Sequence, residues 1–319
     1  MLPGHENAWR EWDTALAGPR MHHGWILAGR SGLGKHDLAL AAARKLVAED
    51  GVDQPEGDHP DIIVLSRAPK DDKEERKRAD GKPFERKRNI SVDQIRAMQR
   101  RLTTRPTLGS KRAIIIDPAD DLEKGASNAL LKSLEEPPVG TFFLLVTHRP
   151  ARLLPTIRSR CRIVRFPTLD SEEISRYLAQ HAPESANDSR LAAIAAAGGS
   201  PGAALAFIEQ ELAPLAALMR QILGEGDADF ALRGQLAGAI GARPTRERIQ
   251  AIFDLARAIL AEQMETTPIA QIDKLADAHA DMAALAGQAP TYNFDPGFLA
   301  MEIGSLLASA APHRERANV

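Results

Sequence analysis

Four short apolar runs punctuate the first half of the chain: Gly24–Ala28 (GWILA), Asp61–Leu65 (DIIVL), Ala113–Asp117 (AIIID) and Thr141–Thr147 (TFFLLVT). Each is continuous rather than alternating, which predicts strands covered on both faces. Helical periods lie between them. Lys35–Val47 is rich in Ala and Leu, and Ser91–Leu102 sets Val92, Ile95, Met98 and Leu102 on one face. Strands alternating with helices predict a parallel sheet in an α/β fold. Arg67–Arg88 breaks the pattern, being nearly all charged or polar, and reads as a solvated, mobile loop. Acids interspersed among its bases argue against a nucleic-acid contact there.

From about Pro167 the β-branched runs vanish and Ala/Leu helices take over. Ser171 with Glu172 and Glu173 reads as a helix start within Thr168–His181. Leu191–Gln210 gives two helical stretches around the turn GGSPG. Arg246–Met264 places Ile249, Ile252, Phe253, Ala256, Ile259 and Leu260 on one face, and Ile269–Gly287 and Pro296–Ala310 continue the pattern. The second half is therefore expected to be all-helical.

Composition narrows the function classes. The 319 residues carry 41 basic and 43 acidic side chains, so no global field draws the chain to nucleic acid or membrane. The single cysteine, Cys161, excludes an internal disulfide and a cysteine-based zinc site, and reads as a small buried hydrophobe. No apolar run reaches membrane-spanning length, and MLPGHENAWREW lacks the apolar stretch of a signal peptide. A soluble, cytoplasmic protein is the expectation.

The candidate chemistry begins at Gly29–His36, GRSGLGKH. Gly29, Gly34 and Lys35 fit the phosphate-loop pattern G-x-x-x-x-G-K-[ST], with Gly32 inside the turn. Such a loop aims backbone N–H groups and a helix N-terminus at one anion. His36 stands where a hydroxyl would hold magnesium, and magnesium prefers oxygen ligands. Asp117, at the end of its strand, is the acidic partner such a loop requires. Pro118 follows it, where hydrolytic versions carry a Glu. Two altered positions argue against efficient hydrolysis, while the binding of ATP or ADP is left open. Asp120 and Asp121 read as helix-start residues on the surface.

Beyond the loop, DPADDLEKGASNALLKSLEEPP (Asp117–Pro138), TFFLLVTHRPARLLPTIRSRC, ISVDQIR (Ile90–Arg96) and HHGWILAG together resemble the AAA+ subunits of the bacterial DNA polymerase III clamp loader. The resemblance is strong from about Gly4 to Pro167, weaker through GGSPGAAL and faint beyond. It implies an AAA+ core over 1–166, a small helical lid over 167–212 and a helical collar over 213–319. It implies other loader subunits as partners (the gamma/tau motors and delta), the sliding clamp indirectly, and primer-template DNA within the assembly. His36, Pro118 and Gly202, which falls where a lid arginine would sit, resemble the delta-prime type rather than the motor type. The family's four-cysteine zinc module has no counterpart in Val52–His59, so no zinc is expected. Arg160 of Ser159–Cys161 is then expected to act as an arginine finger on a neighbour's ATP, with Arg158 a solvated neighbour. Thr147 is either the family's polar sensor or a strand-end Thr bonding its own turn. Arg100 and Arg101 are candidate DNA contacts, or simply the solvated face of their helix. The alternatives are a motor-type loader ATPase, a free-standing P-loop kinase or hydrolase, and a DNA-binding adaptor acting through the charged segment 67–89.

Overall fold

The computed structural model describes residues 5–269, 272–292 and 294–312. His313, which like His279 stands at no metal-ligand spacing in the sequence, lies outside the described residues. Two compact units divide the chain, Met1–Thr168 and Leu169–Val319.

The first unit runs α1 (Glu6–Ala17), β1 (Gly24–Ala28), α2 (Lys35–Val47), β2 (Ile62–Leu65), α3 (Asp72–Ala79), α4 (Val92–Leu102), β3 (Arg112–Ile116), α5 (Lys124–Glu135), β4 (Thr141–Thr147), α6 (Pro155–Arg158) and β5 (Arg162–Arg165). The strands form one sheet in the order β2-β3-β4-β1-β5, with every pairing parallel. The apolar runs of β1, β3 and β4 are continuous because both faces are covered, whereas the edge strand β2 leaves Val64 exposed, contrary to the sequence expectation. Trp25, Leu27, Ile115, Leu144 and Val146 pack with α1 and α2 on one face. Ile26, Ile114, Ile116, Phe143 and Leu145 pack with α4 and α5 on the other. Each fully buried aliphatic or aromatic side chain stabilises the fold by about 1.5–3 kcal/mol.

Several elements were not evident in the sequence. β5 is four residues long with an arginine at each end, and α1 docks through Trp12, whose ring meets Trp25 edge-on at 5.2 Å. The strand ends also shift by one residue. Asp61 precedes β2 rather than opening it, because its carboxylate is fully buried and accepts from the amides of Thr107 (2.7 Å) and Leu108 (2.8 Å). Arg112, at the start of β3, lies 3.5 Å from the same carboxylate and donates to the carbonyls of Arg101, Thr104 and Arg105.

The charged stretch 67–88 corrects the expectation of a loop. It contains helix α3, whose N-cap Asp71 accepts from the Glu74 amide at 3.0 Å. Bridge pairing of Pro69 with Arg86 closes its base. Buried Glu74 takes Lys77 on one oxygen (2.8 Å) and the Glu85 amide on the other (2.7 Å). Local capping and an internal acid supply the order that an apolar stripe gives elsewhere.

The second unit is helical: α7 (Ser171–His181), α8 (Asn187–Ala196), α9 (Pro201–Glu209), α10 (Ala213–Glu225), α11 (Ala231–Ile240), α12 (Arg246–Thr266), α13 (Asp273–Tyr292) and α14 (Pro296–Ser309). The N-cap of α7 is Asp170, one residue before the expected start, and Glu173 completes its capping box. Ser200 caps α9, and Gly202 lies in that helix's first turn. One apolar cluster draws on the whole unit, with Leu178 and Phe207 from 167–212 and Met219, Phe253 and Ile303 from 213–319. No single helix among the described residues is long and apolar enough to cross a membrane.

The buried Asp61–Arg112 pair generates a prediction. Asp61→Ala leaves a guanidinium facing no anion and two amides without an acceptor, so stability should fall by about 3–5 kcal/mol. Denaturant unfolding of the purified chain measures it, and a change below about 1 kcal/mol would contradict the role given to the pair.

Candidate functional site

The phosphate loop leaves β1 at the carboxyl edge of the sheet. Ala28 lies in register with Thr147 of β4, and the Gly29 amide continues the ladder to the Thr147 carbonyl at 3.2 Å. Gly32 and Gly34 have φ of +76° and +69°, a backbone region in which glycine avoids the Cβ penalty. Gly29 is required for a different reason, since a Cβ there would lie 2.7 Å from the Phe166 carbonyl oxygen. The turn expected from the sequence is therefore present.

Two of its side chains, Lys35 and His36, are bonded within the site. Lys35 is 3% exposed, and its ammonium donates to the loop's own carbonyls at Gly29 (2.7 Å) and at Arg30. Burial lowers its pKa to about 8, against the opposing pull of Asp117 and Asp120. His36 donates from Nδ1 to Oδ2 of Asp117 at 2.6 Å. The His36 pKa is raised, first by this hydrogen bond, with burial opposing. The site thus brings together Gly29, Gly32, Gly34, Lys35, His36 and Asp117, with Lys35 bonded to the loop carbonyls and His36 to Asp117.

Magnesium does not fit this arrangement. The loop offers an imidazole in place of a hydroxyl, and that imidazole already holds the Asp117 carboxylate. Among the described residues no group of three or more His, Cys, Asp or Glu gathers as a metal site. Pro118 contributes no acid beside Asp117.

Asp120 corrects its sequence reading. It does lie in a short 3-10 helix, Ala119–Asp121, but instead of facing solvent it is half-buried and accepts from Thr147 Oγ1 (2.8 Å), the His148 amide (2.6 Å) and the Arg149 amide (3.0 Å). It fixes the turn that follows β4. Thr147 is fully buried and also accepts from the Arg149 amide at 3.2 Å, so it does bond its own turn. Asp121 is also half-buried, pairs with Arg67 at 3.2 Å, and has its pKa raised chiefly by burial. Two histidines near the loop carried no sequence signal. His5 packs edge-on to Phe166 at 4.9 Å, and His148 lies close enough to feel Lys35; burial lowers the pKa of both.

Arg160 stands at the opposite end of β1. Gly24 begins that strand, and a Cβ there would sit 2.9 Å from Cys161 Sγ and 3.0 Å from the Arg160 carbonyl oxygen. The guanidinium pairs with Glu135 at 2.7 Å and donates to the Thr156 carbonyl at 2.9 Å. Glu135 ends α5, within the NALLKSLEEPP stretch, and was not singled out from the sequence. Cys161 is only half-buried, yet burial pushes its thiol up to about 12, which makes it unreactive at neutral pH. Arg100 and Arg101 are exposed on α4, and Arg101 spends one N–H on the Pro60 carbonyl at 2.9 Å.

A phosphate loop between a parallel strand and a helix, with an acidic strand end beside it, defines a P-loop α/β core whose loop lysine and acidic strand end are already bonded within the site. Residues 4–170 match the family described as "DNA polymerase III, delta subunit", and the chain belongs to that family. It is 31% identical over 214 residues to the DNA polymerase III subunit delta' of Pseudomonas aeruginosa, covering 63% of this chain and 59% of that protein. With the subunit delta' of Escherichia coli the figures are 32% over 206 residues, 60% and 55%. The matches thus span under two thirds of those relatives' lengths. Among solved structures, a DNA polymerase III gamma subunit-related protein from Thermotoga maritima aligns with a TM-score of 0.47 at 18% identity, covering 96% of this chain and 98% of that one.

The His36–Asp117 bond makes a pH prediction. The bond raises the folded pKa of His36 above its ordinary 6.5. Its contribution is therefore fully present below about pH 6.5 and is lost as pH rises through the folded value. NMR titration of the His36 ring should give a midpoint above 6.5, and Asp117→Asn should lower that midpoint. A wild-type midpoint at or below 6.5 would show that the bond does not hold in solution.

Proposed function

We propose that this chain is a clamp-loader subunit of the delta-prime type in a DNA polymerase III assembly. It holds one end of the ring of loader subunits through its helical part, with 167–212 as lid and 213–319 as collar. It supplies Arg160 in trans to the ATP site of a neighbouring motor subunit while the sliding clamp is loaded in the cytoplasm. It hydrolyses little or no ATP itself.

One observation carries this reading. The groups that would work on a nucleotide are committed to each other, Lys35 to the loop carbonyls and His36 to Asp117, whereas Arg160 is 35% exposed and held at the ready by Glu135. Family membership supports it as well. A planar, permanently charged fork suits the spread charge of a transferring phosphoryl group. Its carboxylate partner restrains it before a stronger anion is offered. A motor-type ATPase would need Lys35 free to meet phosphate and a general base beside Asp117, and Pro118 cannot serve as one.

The test is ATP turnover by the reconstituted loader. Arg160→Ala should lower the rate at the adjoining site by about 10³-fold, the lower end for arginine fingers, with assembly intact by size-exclusion chromatography. Glu135→Ala, which removes the restraint but keeps the guanidinium, should cost much less. Unchanged turnover with Arg160→Ala would refute the finger, and steady turnover by the isolated chain would favour the motor type.

A further inference from the structure

The segment Arg67–Arg88 carries ten basic and six acidic residues, in a chain whose net charge is −2. Along the sequence the two signs are interspersed. In the folded segment most of the acids are paired. Four acids are held by cations of the same segment: Glu74 by Lys77, Glu75 by Arg78, Asp80 by Lys82 and Glu85 by Lys70. Asp71 is the cap of α3, and Asp72 lies in that helix's first turn, where the helix dipole favours an anion. Outside these pairs stand Lys73, Arg76, Lys87 and Arg88, all exposed.

The frame beneath these cations is built. The Pro69–Arg86 bridge and the Lys87 amide bond to the Ala68 carbonyl close its base. Arg86 lies over the Phe84 ring at 4.7 Å and donates to Ser66 Oγ at 3.1 Å. Gln94 of α4 donates to the Ser66 carbonyl at 2.8 Å, and Arg67 pairs with Asp121. The segment is therefore an arm fastened at the end of β2. None of the large exposed hydrophobic residues lies in it. A protein interface is usually built around a desolvated apolar centre, which this surface lacks. Excess fixed positive charge without an apolar centre suits the phosphodiester backbone, whose contacts carry no sequence information.

We propose that the arm 67–88 is a binding surface for the phosphate backbone of nucleic acid, with Lys73, Arg76, Lys87 and Arg88 as its contacts. The proposal rests on the arm's own charges and not on the clamp-loader reading.

Fluorescence anisotropy of the full chain with labelled duplex DNA bearing a single-stranded overhang tests it across a salt series. The variant replaces Lys73, Arg76, Lys87 and Arg88 together with Gln, and circular dichroism checks its fold. Wild-type chain should bind with a steep salt dependence. The variant should bind about tenfold or more weakly at low salt, with the slope of log K against log salt reduced by about 2–4, as expected for up to four lost phosphate contacts. Arg160→Ala should bind like wild type, so loss of the finger and loss of the arm are separable. Absent binding, or equal affinity and slope in the variant, would overturn the proposal. Polyglutamate held as tightly as DNA per charge would also overturn it, in favour of an acidic protein partner.

Discussion

Strand β1 is clamped between β4 and β5, and both of its ends depend on the absence of a side chain. At Gly24 a Cβ would press on Cys161 and on the Arg160 carbonyl, and at Gly29, just past the strand, it would press on Phe166. These contacts let β5 close against β1 along its full length, with Trp25 opposite Arg162 and Ala28 opposite Arg165. One end of a five-residue strand therefore carries the phosphate loop, and the other abuts the turn that bears Arg160. The parallel sheet does the rest, since strand ends that face the same way gather Thr147, Asp117 and the loop on one edge.

The loop kept its shape while its chemistry turned inward. A buried ammonium with no partner is costly, so a loop lysine without phosphate must find acceptors, and Lys35 finds them in the carbonyls of Gly29 and Arg30. Asp117 in turn needs a donor, and His36 provides one from the first turn of α2. Any anion entering the loop would have to compete with bonds that already exist. The motif thus fastens β1, α2 and β3 to one another.

What could be read beforehand was set by local period. The strands β1, β3 and β4 announced themselves because burial on both faces favours an unbroken apolar run, the edge strand β2 did so through its aliphatic side chains alone, and the loop did so because its glycines have fixed spacing. Their ends shifted by one residue where a carboxylate took another task, as Asp61 did before β2 and Asp117 did after β3. β5 was hidden because four residues with arginines at both ends have no pattern, although neighbouring strands make it a strand. Asp120 and Glu135 were hidden for a related reason. Each acts on groups more than twenty residues away, on the turn after β4 and on Arg160, and no spacing within one element records such a pairing.

The charged segment shows the converse error. Its composition resembles that of a disordered stretch, with little apolar surface and many charges, and composition alone predicts that it cannot offset the entropy of ordering. Order arises instead from placement. An Asp at the N-cap, a Glu facing inward to hold an amide and a lysine, and a short bridge at the base satisfy the backbone of α3 without a large core. Ion pairs then occupy four of the six acids, so folding leaves Lys73, Arg76, Lys87 and Arg88 exposed outside those pairs. Net charge counts residues, whereas the field a partner meets depends on which charges the fold has already used.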